Sequence, residues 1–498
     1  FKIENDPYNY LKFGCCGEGI SDKSNSLRKK DSNYNVGFSY KFKKFGNIDF
    51  SYIKGNTWNL NFSIGFSSKQ PIRKKNEFTP VIENKNFNQS KRNEFYYDLL
   101  HNLNQNNLYL QTAEVDEIKN ELAITIDSAE HINPIIYSSR AAYISKKVAD
   151  ANKLDFNSFK VGHITRGIQI NDISFKQSDL QNGNKSPYVL IKRRSKVSEV
   201  NPIKYKSHEF QPIVPFPIII NSLSPDIRTH IGSPERFLFT GIGIKLTTEI
   251  QLNRNLTLTG IIGQNLTNTF DKKVSEPNSL LPKVRTEIVD YLQDSNDLYI
   301  KILQSDYIAP INKNIYTRLS FGYLEEMYGG ISSEILYKPF SGNFALSAEY
   351  NKVKKRNYDG RFDFLDYKTR TSHLNTAYYH PRSNILLKLS YGEYLAGDRG
   401  YTFDISRRMP SGWQSGFYFT RTNVSEEEFG EGSFDKGFYF RIPFNVFQKK
   451  YSKNSVDLSL KTMTRDGGQK LIIQNKLIDS FYGSSFNEIN ENWNSFLD

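Results

Sequence analysis

Hydrophobic and polar residues alternate one by one over many stretches of the chain, which is the spacing of a β-strand with one apolar and one polar face. In residues 343–351, Phe344 and Leu346 alternate with Ser347 and Glu349. The same alternation occurs in residues 58–66, 314–324 and 456–461. Strands of about 9–11 residues suit a membrane-spanning barrel better than a compact sandwich, whose strands average about 5–6. A large soluble all-β protein, such as a propeller or β-helix, is the alternative, although no repeat of fixed length is present.

The alternation occupies two regions, one near the start of the chain and a longer one in the C-terminal half. Residues 1–70 predict N-terminal barrel strands that form part of a barrel, and residues 215–482 predict a C-terminal β-barrel of roughly 12–14 strands. Polar stretches rich in Lys, Asn and Gln at residues 71–107 and 181–214 predict linkers. Residues 483–498 predict a tail.

Residues 108–180 have a mixed pattern that predicts a small α/β domain. Ile136, Ala141 and Val148 fall near helical spacing after Pro134, a residue suited to the first turn of a helix. Strand-like stretches lie on both sides of that helix, at residues 122–126, 159–163 and 168–175. Because irregular backbone and open sheet edges do not lie in lipid, we expect a soluble domain between the two strand-rich regions.

Hydropathy excludes a helical membrane protein. The best apolar run, residues 214–220, is interrupted by Pro215 and Pro217 and falls short of the roughly 18 residues of a spanning helix. The mean hydropathy is −0.57, but barrel strands alternate lipid-facing and lumen-facing residues and therefore average out as hydrophilic. Aromatic residues make up 14% of the chain, which argues against disorder.

The chain is basic, with a formal net charge of +13. The Lys and Arg residues are scattered, without a basic helix or a known reader motif, so we predict no nucleic-acid partner. Phosphate-rich lipid head groups and an acidic polymer suit diffuse positive charge equally well. The charge alone does not choose between them.

No catalytic, metal or cofactor motif is predicted. The adjacent Cys15 and Cys16 are poorly placed to bridge one another, and no apolar segment precedes them that would indicate a lipoprotein site. None of the seven histidines has zinc-type spacing, and no P-loop, dinucleotide fingerprint or Gly-x-Ser-x-Gly elbow is present. The chain shows no signal peptide and begins in a strand-like pattern, so we expect a mature or truncated product. We expect a protein that is not an enzyme.

Three groups of acidic residues are candidates for metal binding, for a turn or for catalysis. Glycines and acids in residues 426–435 fit a tight turn, with calcium binding as the alternative. The candidate calcium ligands are Glu426, Glu427, Glu428, Glu431 and Asp435. Residues 395–400 predict a hairpin turn with Asp398 and Arg399 at its tip. Glu325 and Glu326 are consecutive strand residues in this interpretation, so they face opposite sides and make a poor acid/base pair.

Four separated blocks in one order resemble the YjbH-type (GfcD-like) family of exopolysaccharide-associated outer-membrane proteins. The blocks are Gly-Tyr-Leu-Glu-Glu-Met-Tyr-Gly-Gly at residues 322–330, Gly-Glu-Tyr-Leu-Ala-Gly-Asp-Arg-Gly at 392–400, Glu-Glu-Phe-Gly-Glu-Gly-Ser-Phe-Asp-Lys-Gly at 427–437 and Thr-Arg-Asp-Gly-Gly-Gln-Lys at 464–470. The resemblance implies a mainly β protein of the bacterial outer membrane, with transmembrane antiparallel β-barrel regions and a small α/β periplasmic domain inserted between them.

The resemblance also implies a role that composition and spacing do not reveal. We expect a non-enzymatic component of exopolysaccharide production and export. Its expected partners are outer-membrane lipids, the exopolysaccharide, and periplasmic or lipoprotein partners of a secretion system. Two rivals remain open at this point: a scaffold barrel that binds periplasmic partners, and a barrel enzyme that acts on lipid or polysaccharide.

If the apolar residues of the strands face lipid, the opposite face carries charged residues that point into a lumen. These candidates for a polysaccharide path are Arg318, Glu349, Lys388, Asp404, Arg441 and Lys461. They could contact a hydrated polymer, or they could form a self-neutralising network that plugs the barrel. Their mixed signs do not describe a strongly selective pore.

Overall fold

The computed structural model divides the chain into two compact units, Phe1–Lys74 and Lys75–Asp498. The residues that the structure describes are 1–7, 30–42, 46–64, 92–128, 133–181, 187–214, 216–231, 238–270, 280–294, 298–409, 412–430, 433–443, 455–461, 465–481 and 483–497. Among these, no helix has the length and apolar character that crossing a membrane requires.

The first unit contains a four-stranded antiparallel sheet in sequential order. Its strands are β1 (Lys2–Asn5), β2 (Tyr34–Phe42), β3 (Gly46–Ile53) and β4 (Thr57–Ile64). Register places Phe38 opposite Phe50, and the ring of Phe50 also stacks on Trp58 at 5.1 Å. One face is therefore aromatic, yet Phe38 and Trp58 are exposed. Within residues 1–70, which the sequence predicts as part of a barrel, the described residues form this sheet of four strands.

The second unit begins with a five-stranded mixed sheet and its helices, which we call the α/β domain (residues 92–214). Its elements are α1 (Arg92–Gln105), β5 (Leu108–Asp116), β6 (Glu121–Ser128), α2 (Pro134–Ala151), β7 (Ser158–Thr165), β8 (Ile168–Lys176), α3 (Tyr188–Arg194) and β9 (Lys196–Ser198). The order is β5-β6-β7-β8-β9, and only β6 and β7 run parallel. A parallel pair needs a crossover, and α2 supplies it.

Helix α2 begins where the sequence predicts it. The side chain of Asn133 accepts a hydrogen bond from the Ile135 amide, and Pro134 occupies the first turn, where a missing N–H costs nothing. Its buried face includes Ile135, Ala141 and Val148, which pack into the core of the α/β domain.

Both predicted linkers contain regular structure, so the linker assignments are wrong there. Residues 92–105 form helix α1, whose Phe95, Leu99 and Leu103 are fully buried. These residues recur at helical spacing, but the surrounding Asn and Gln residues gave the stretch the composition of a loop. On the other side, α3 and β9 lie within residues 181–214, and β9 extends the sheet beside β8.

The C-terminal half forms a 13-stranded antiparallel sheet in sequential order. Its strands are β10 (Ile218–Ile231), β11 (Leu238–Gln251), β12 (Leu256–Asn268), β13 (Leu298–Pro310), β14 (Ile315–Tyr323), β15 (Tyr328–Tyr337), β16 (Phe344–Arg356), β17 (Phe364–His380), β18 (Ile385–Glu393), β19 (Arg399–Arg408), β20 (Gln414–Thr422), β21 (Asp435–Pro443) and β22 (Ser455–Lys461). Over the described residues, each strand pairs with its sequence neighbours, and no pairing joins β10 to β22.

The described residues after β12 also include the short helices α4 (Ile288–Asp294), α5 (Glu426–Phe429) and α6 (Phe486–Glu491). The sequence predicts barrel strands up to residue 482, but the last strand ends at Lys461. Residues 465–481, which we call the C-terminal segment, form no strand and end in the 3-10 turn Leu477–Phe481.

The predicted tail, residues 483–498, is also part of the fold. Trp493 and Ile489 are buried in the core of the α/β domain, where Trp493 packs edge-on against Phe175. The backbone N–H of Leu497 donates a 3.0 Å hydrogen bond to the Ser139 hydroxyl. The chain end therefore contacts the α/β domain, and Leu497 and Ser139 are 358 residues apart in sequence.

The two faces of the 13-stranded sheet differ sharply in polarity. One face exposes large apolar side chains such as Leu223 (72% exposed), Leu374 (66%) and Phe321 (64%). The other buries polar side chains such as Arg318 (0%) and Glu334 (3%). This is the reverse of the distribution that water imposes on a protein surface.

Candidate functional site

Strand register places the sequence-predicted charged residues on one face of the large sheet. Residues paired directly across antiparallel strands project to the same side, and the side alternates along each strand. Arg318 pairs with Glu334, which pairs in turn with Glu349. Counting on through β17 and β18 puts Lys388 on the same face, opposite Asp404.

The count also reaches the last two predicted residues. Arg441 on β21 and Lys461 on β22 share that face, because Gly437 pairs with Lys461 and lies four residues before Arg441. The predicted side-chain orientation therefore agrees with the register for the five residues whose side chains are described. The side chain of Lys461 itself lies outside the described residues.

Arg318 is the most buried of the six and lies in a dense polar network. Its guanidinium donates to the Glu334 carboxylate at 3.3 Å, to Ser332 Oγ at 3.0 Å and to Ser320 Oγ at 2.5 Å. Ser320 in turn donates to Asp306. A buried charge is tolerated where its hydrogen-bonding groups find partners, and this network supplies them.

The other predicted residues are less enclosed. Glu349 accepts a 2.8 Å hydrogen bond from Asn351, and Asp404 accepts one from the Tyr439 hydroxyl at 3.0 Å. Arg441 forms an ion pair with Asp457 at 2.8 Å, with 43% and 58% of the two side chains exposed. The five predicted residues with described side chains therefore line one face without converging on a single point.

The C-terminal segment lies against this face and contacts strands that are far apart in the sheet order. Its Asn475 donates to Asp306 on β13 at 2.8 Å, and the amide of its Leu477 donates to Glu334 on β15 at 3.0 Å. Gly468 packs on Thr420 of β20. A sheet that reaches one segment from β13, β15 and β20 must curve around it, so we call this side the concave face.

Asp466 fixes the start of the C-terminal segment. Its Oδ1 accepts hydrogen bonds from the backbone amides of Val284, Arg285 and Thr286 at 2.7–3.0 Å. Its Oδ2 accepts a further bond from the Thr286 hydroxyl at 2.8 Å. A carboxylate with four donors is strongly held, because charge-assisted hydrogen bonds exceed neutral ones in strength.

Two buried acids in the sheet turns hold the same segment. Asp398 accepts a 2.7 Å bond from the Gly468 amide, and Glu325 accepts a 2.9 Å bond from the Ile472 amide. Glu325 also forms a two-bond ion pair with Arg285 at 2.7 and 3.0 Å. The sequence predicts Glu325 in a strand, and this prediction is wrong. Glu325 lies in the β14–β15 turn, where side chains need not alternate between the two faces of the sheet.

Burial and neighbouring charges shift the pKa of two of these groups. Burial raises the pKa of the Asp398 carboxyl, and the hydrogen bond from the Gly468 amide offsets only part of that effect. Burial by itself would lower the pKa of Arg285, but the charge and hydrogen bonds of Glu325 outweigh it and raise the pKa.

Arg356 ties together the turns at this end of the sheet. Its guanidinium is fully buried and donates to backbone carbonyls of Ile300, Glu325 and Gly360 at 2.8–3.1 Å. It also lies 4.3 Å from the ring centroid of Tyr323. The planar guanidinium, with five donors, can bond several carbonyl oxygens at once, which a lysine ammonium does less well.

The α/β domain packs against the opposite end of the sheet. Ile168 and Ile170 at the start of β8 share an apolar cluster with Ile308, Leu336 and Leu477. The other members are Tyr316, Ala345 and Phe481.

Polar contacts add to this junction. Lys313 pairs with Glu199 at 2.7 Å, and Arg254 lies 3.8 Å from the ring centroid of Tyr205. The concave face is therefore bordered by the domain at one end and by the turns held by Arg356 at the other.

Several residues that hold the concave face together were missed from sequence. Asp306, Glu334 and Asp466 carry much of the network, and each had a detectable signal. Asp306 and Glu334 occupy the polar phase of alternating strands, and Asp466 lies in the last of the four family blocks. Their partners come from elements up to 182 residues away, a distance that periodicity does not report.

The remaining candidate chemistry resolves into structural roles where the chain is described. Glu428 closes a capping box with Ser425 at the start of α5, which accounts for one of the possible calcium ligands. Across the described ranges, no group of three His, Cys, Asp or Glu residues is arranged to hold a metal. Cys15, Cys16 and Glu431 lie outside those ranges.

Comparison with known protein families identifies the family of this chain. A family model described as "Exopolysaccharide biosynthesis protein YbjH" matches residues 3–481. The chain belongs to the YjbH family. The resemblance drawn from the four sequence blocks is therefore confirmed. The chain is also 38% identical over 273 residues to "Uncharacterized lipoprotein YjbH" of Escherichia coli (strain K12). That alignment covers 53% of this chain and 39% of the relative, so it spans less than half of the relative's length.

Solved structures offer only distant likenesses. OmpT, an outer membrane protein of Vibrio cholerae, gives a TM-score of 0.20 at 10% identity and covers 45% of this chain and 78% of its own. OmpF of Salmonella typhi, in complex with daunomycin, gives 0.25 at 11% identity and covers 53% and 93%. Scores this low do not establish a common fold.

Proposed function

We propose that β10–β22 form a β-barrel in the bacterial outer membrane, and that the protein acts there as a non-enzymatic component of exopolysaccharide production and export. The observation that carries the membrane part is the polarity of the large sheet. Large apolar residues are exposed along many of its strands, and charged residues such as Arg318 and Glu334 are buried on the other face. Lipid on the outside removes the cost of exposing so much apolar surface.

Family membership supports the polysaccharide part. The chain matches the exopolysaccharide biosynthesis family over nearly its whole length. Its E. coli relative is named a lipoprotein, which supports a location in the cell envelope. In this proposal, the first and last strands, β10 and β22, meet to close the barrel, because an open edge in lipid would leave backbone groups without partners.

Loop lengths support an orientation with the α/β domain in the periplasm. Most connections at the end of the sheet beside that domain are short, among them residues 252–255, 311–314 and 381–384, although the connection 444–454 has eleven residues. The opposite end carries the long connections 269–297 and 423–434. Outer-membrane barrels have short periplasmic turns and longer extracellular loops.

The occupied concave face favours a second candidate, a scaffold barrel that conducts nothing while its C-terminal segment is in place. Asp466, Glu325 and Glu334 hold that segment by hydrogen bonds along its length. A path for a hydrated polymer would require these contacts to break. In the scaffold version, the α/β domain performs the function by binding periplasmic partners.

A pair of arginine substitutions tests the membrane assignment. Leu374 lies near the middle of β17 and is 66% exposed, so Leu374→Arg should destabilise the folded protein by roughly 2–4 kcal/mol in lipid. Ile118→Arg is the matched control, because Ile118 is 99% exposed in a turn of the α/β domain and should tolerate the change. Heat-modifiable migration after outer-membrane fractionation measures both. Equal tolerance of the two substitutions would contradict lipid contact at Leu374.

Secretion assays separate the conduit from the scaffold. Deleting the gene should lower the secreted polysaccharide in either version. Lys388→Ala combined with Arg441→Ala removes positive charge from the concave face and should reduce export only if the polymer passes there. Secreted sugar is measured beside the amount of protein in the outer membrane. Normal secretion in the deletion strain, while the polymer is being made, would rule out both versions.

A further inference from the structure

The α/β domain carries a cavity of about 620 Å³ on the side formed by α3, β9 and the chain end. Its wall includes Tyr188, Lys192 and Ser195 from the α3 region, and Phe486 and Trp493 from the chain end. The volume falls within the roughly 300–1,000 Å³ typical of small-molecule sites. The cavity is separate from the concave face, since none of the six charged residues predicted there lines it.

Helical spacing brings the cationic and aromatic groups of α3 together. Tyr188, Lys192 and Ser195 follow one another at intervals of four and three residues, which places them on one face. The neighbouring Arg193 is exposed and also lines the cavity.

The basic residues of α3 have different roles. Arg194 is paired with the buried carboxylate of Asp179, and Lys192 donates to the Asn490 carbonyl at 2.7 Å. Within the described part of the chain, Arg193 has no ion-pair partner. Among the described residues of the wall, Glu491 is the one acid, against the two cations Lys192 and Arg193. The cavity therefore presents a guanidinium that is available to an anion.

Two hydrogen-bonding groups of the wall are unsatisfied. The indole N–H of Trp493 and the hydroxyl of Ser195 are buried without a partner among the described residues, and Trp493 is 1% exposed. Leaving a buried donor unpaired has a free-energy cost. Such a cost is offset when a ligand supplies the acceptor.

We propose that this cavity binds an acidic sugar unit of the exopolysaccharide. Arg193 would pair with the sugar carboxylate, a match that its planar donors favour. Tyr188 and Phe486 would cover the apolar face of the ring, and the unpaired donors of Trp493 and Ser195 would meet its hydroxyls. The ligand class rests on the proposed function, whereas the anion site rests on the geometry alone.

Calorimetry on the full chain in detergent tests the proposal. The probe is a trimer of galacturonic acid, and maltotriose is the neutral trimer. The acidic trimer should bind, and Arg193→Ala should weaken it about tenfold or more. Lys196→Ala is the matched control: it removes an exposed positive charge next to the cavity but outside its wall, so binding should stay within about twofold. Trp493→Phe keeps the ring and removes only the indole N–H, and should weaken binding severalfold.

Each contrary result overturns a particular part of the binding proposal. Absence of binding by the folded protein at millimolar trimer would overturn the proposal, as would equal binding of maltotriose. Equal binding of inorganic phosphate or an acidic peptide would overturn the sugar class and leave a general anion site. Because these measurements use purified protein, their failure leaves the membrane location and deletion phenotype untouched. Conversely, normal secretion in the deletion strain would refute the proposed function without altering the binding result.

Discussion

At the scale of single residues, the buried ion pair of Arg318 and Glu334 is the most enclosed charge interaction between neighbouring strands of the large sheet where it is described. Removing one partner leaves the other charge buried without compensation, which costs about 3–5 kcal/mol. Arg318→Met should therefore destabilise the folded protein by an amount in that range. Urea unfolding of the protein refolded in detergent provides the measurement.

A double substitution separates the pair from the packing around it. In Arg318→Met with Glu334→Leu, no charge is left alone, so the loss should be smaller than the sum of the two single losses. The exposed pair of Arg399 and Glu393 serves as the comparison, because surface pairs contribute about 0–1 kcal/mol. Strictly additive losses at Arg318 and Glu334 would contradict a coupled pair.

Asp398 offers a test with a defined pH dependence. Burial raises the pKa of its carboxyl in the folded protein, so the ionised form is disfavoured there relative to the unfolded chain. This cost is present above the raised pKa and disappears as the pH falls and the group is protonated. Asp398→Asn should therefore stabilise the protein at neutral pH, and the advantage should shrink in acid.

Glu428 is the control of opposite sign. Hydrogen bonds from Ser425 lower the pKa of its exposed carboxyl, so its ionised form is favoured at neutral pH. Glu428→Gln should weaken the folded state there, and the difference should vanish in acid. Urea midpoints of both variants at neutral and acid pH provide the measurement. A stability gain for Asp398→Asn that is independent of pH would contradict the proposed cause.

Residue-level sequence reasoning predicted side-chain orientation but not depth. Alternation assigned Arg318 and Arg441 to the same face, and register agrees. The same pattern could not tell that Arg318 is fully buried while Arg441 is 43% exposed. Depth depends on what lies over the strand, and the C-terminal segment that covers part of the concave face is distant in sequence.

At the scale of elements, the strength of the local pattern decided which predictions succeeded. Helix α2 (Pro134–Ala151) was predicted because its apolar spacing follows a proline in the first turn. Helix α1 (Arg92–Gln105) was missed because its six aromatic and leucine residues lie within a long stretch rich in Asn, Gln and Lys. The chain end was missed for another reason: Trp493 is buried by the α/β domain, not by its own neighbours.

The hairpin between β7 and β8 tests how the α/β domain is held against the sheet. Gly167 has a φ of +75°, and a Cβ there would lie 2.3 Å from the Arg254 carbonyl oxygen. Gly397 has a similar φ of +84°, but a Cβ there would meet no atom within 4 Å. Both alanine substitutions strain the backbone alike, and only Gly167→Ala also clashes with the β11–β12 turn.

We expect Gly167→Ala to loosen the domain from the sheet while both parts stay folded. Limited proteolysis should then cut residues 199–217 faster than in Gly397→Ala, and detergent-resistant sheet should persist in both variants. Equal cleavage rates in the two variants would indicate that the hairpin contact does not hold the domain in place.

At the scale of the whole molecule, long-range contacts join the last residues to the sheet and the α/β domain. The sequence predicted a continuous barrel to residue 482 and a tail beyond it. In the structure, the chain leaves the sheet after β22, follows the concave face and ends in the core of the α/β domain. The sequence of this final stretch has no periodic pattern, because each of its residues contacts a different part of the fold. The mainly β class was predictable from alternation, and this path was not.

The anchor at Asp466 gives the last prediction. Because its carboxylate accepts four hydrogen bonds from residues 284–286, Asp466→Ala should free the start of the C-terminal segment while β10–β22 stay paired. If those strands close a barrel, the wild-type protein should conduct ions poorly in planar bilayers and Asp466→Ala should conduct severalfold more. Asp359→Ala is the control, because Asp359 lies in a turn at the same end and its described bond is to the local Arg361 amide. Unchanged conductance in a correctly folded Asp466→Ala variant would mean that the C-terminal segment does not obstruct a pore. The scaffold version, in which this segment blocks conduction, would then be contradicted.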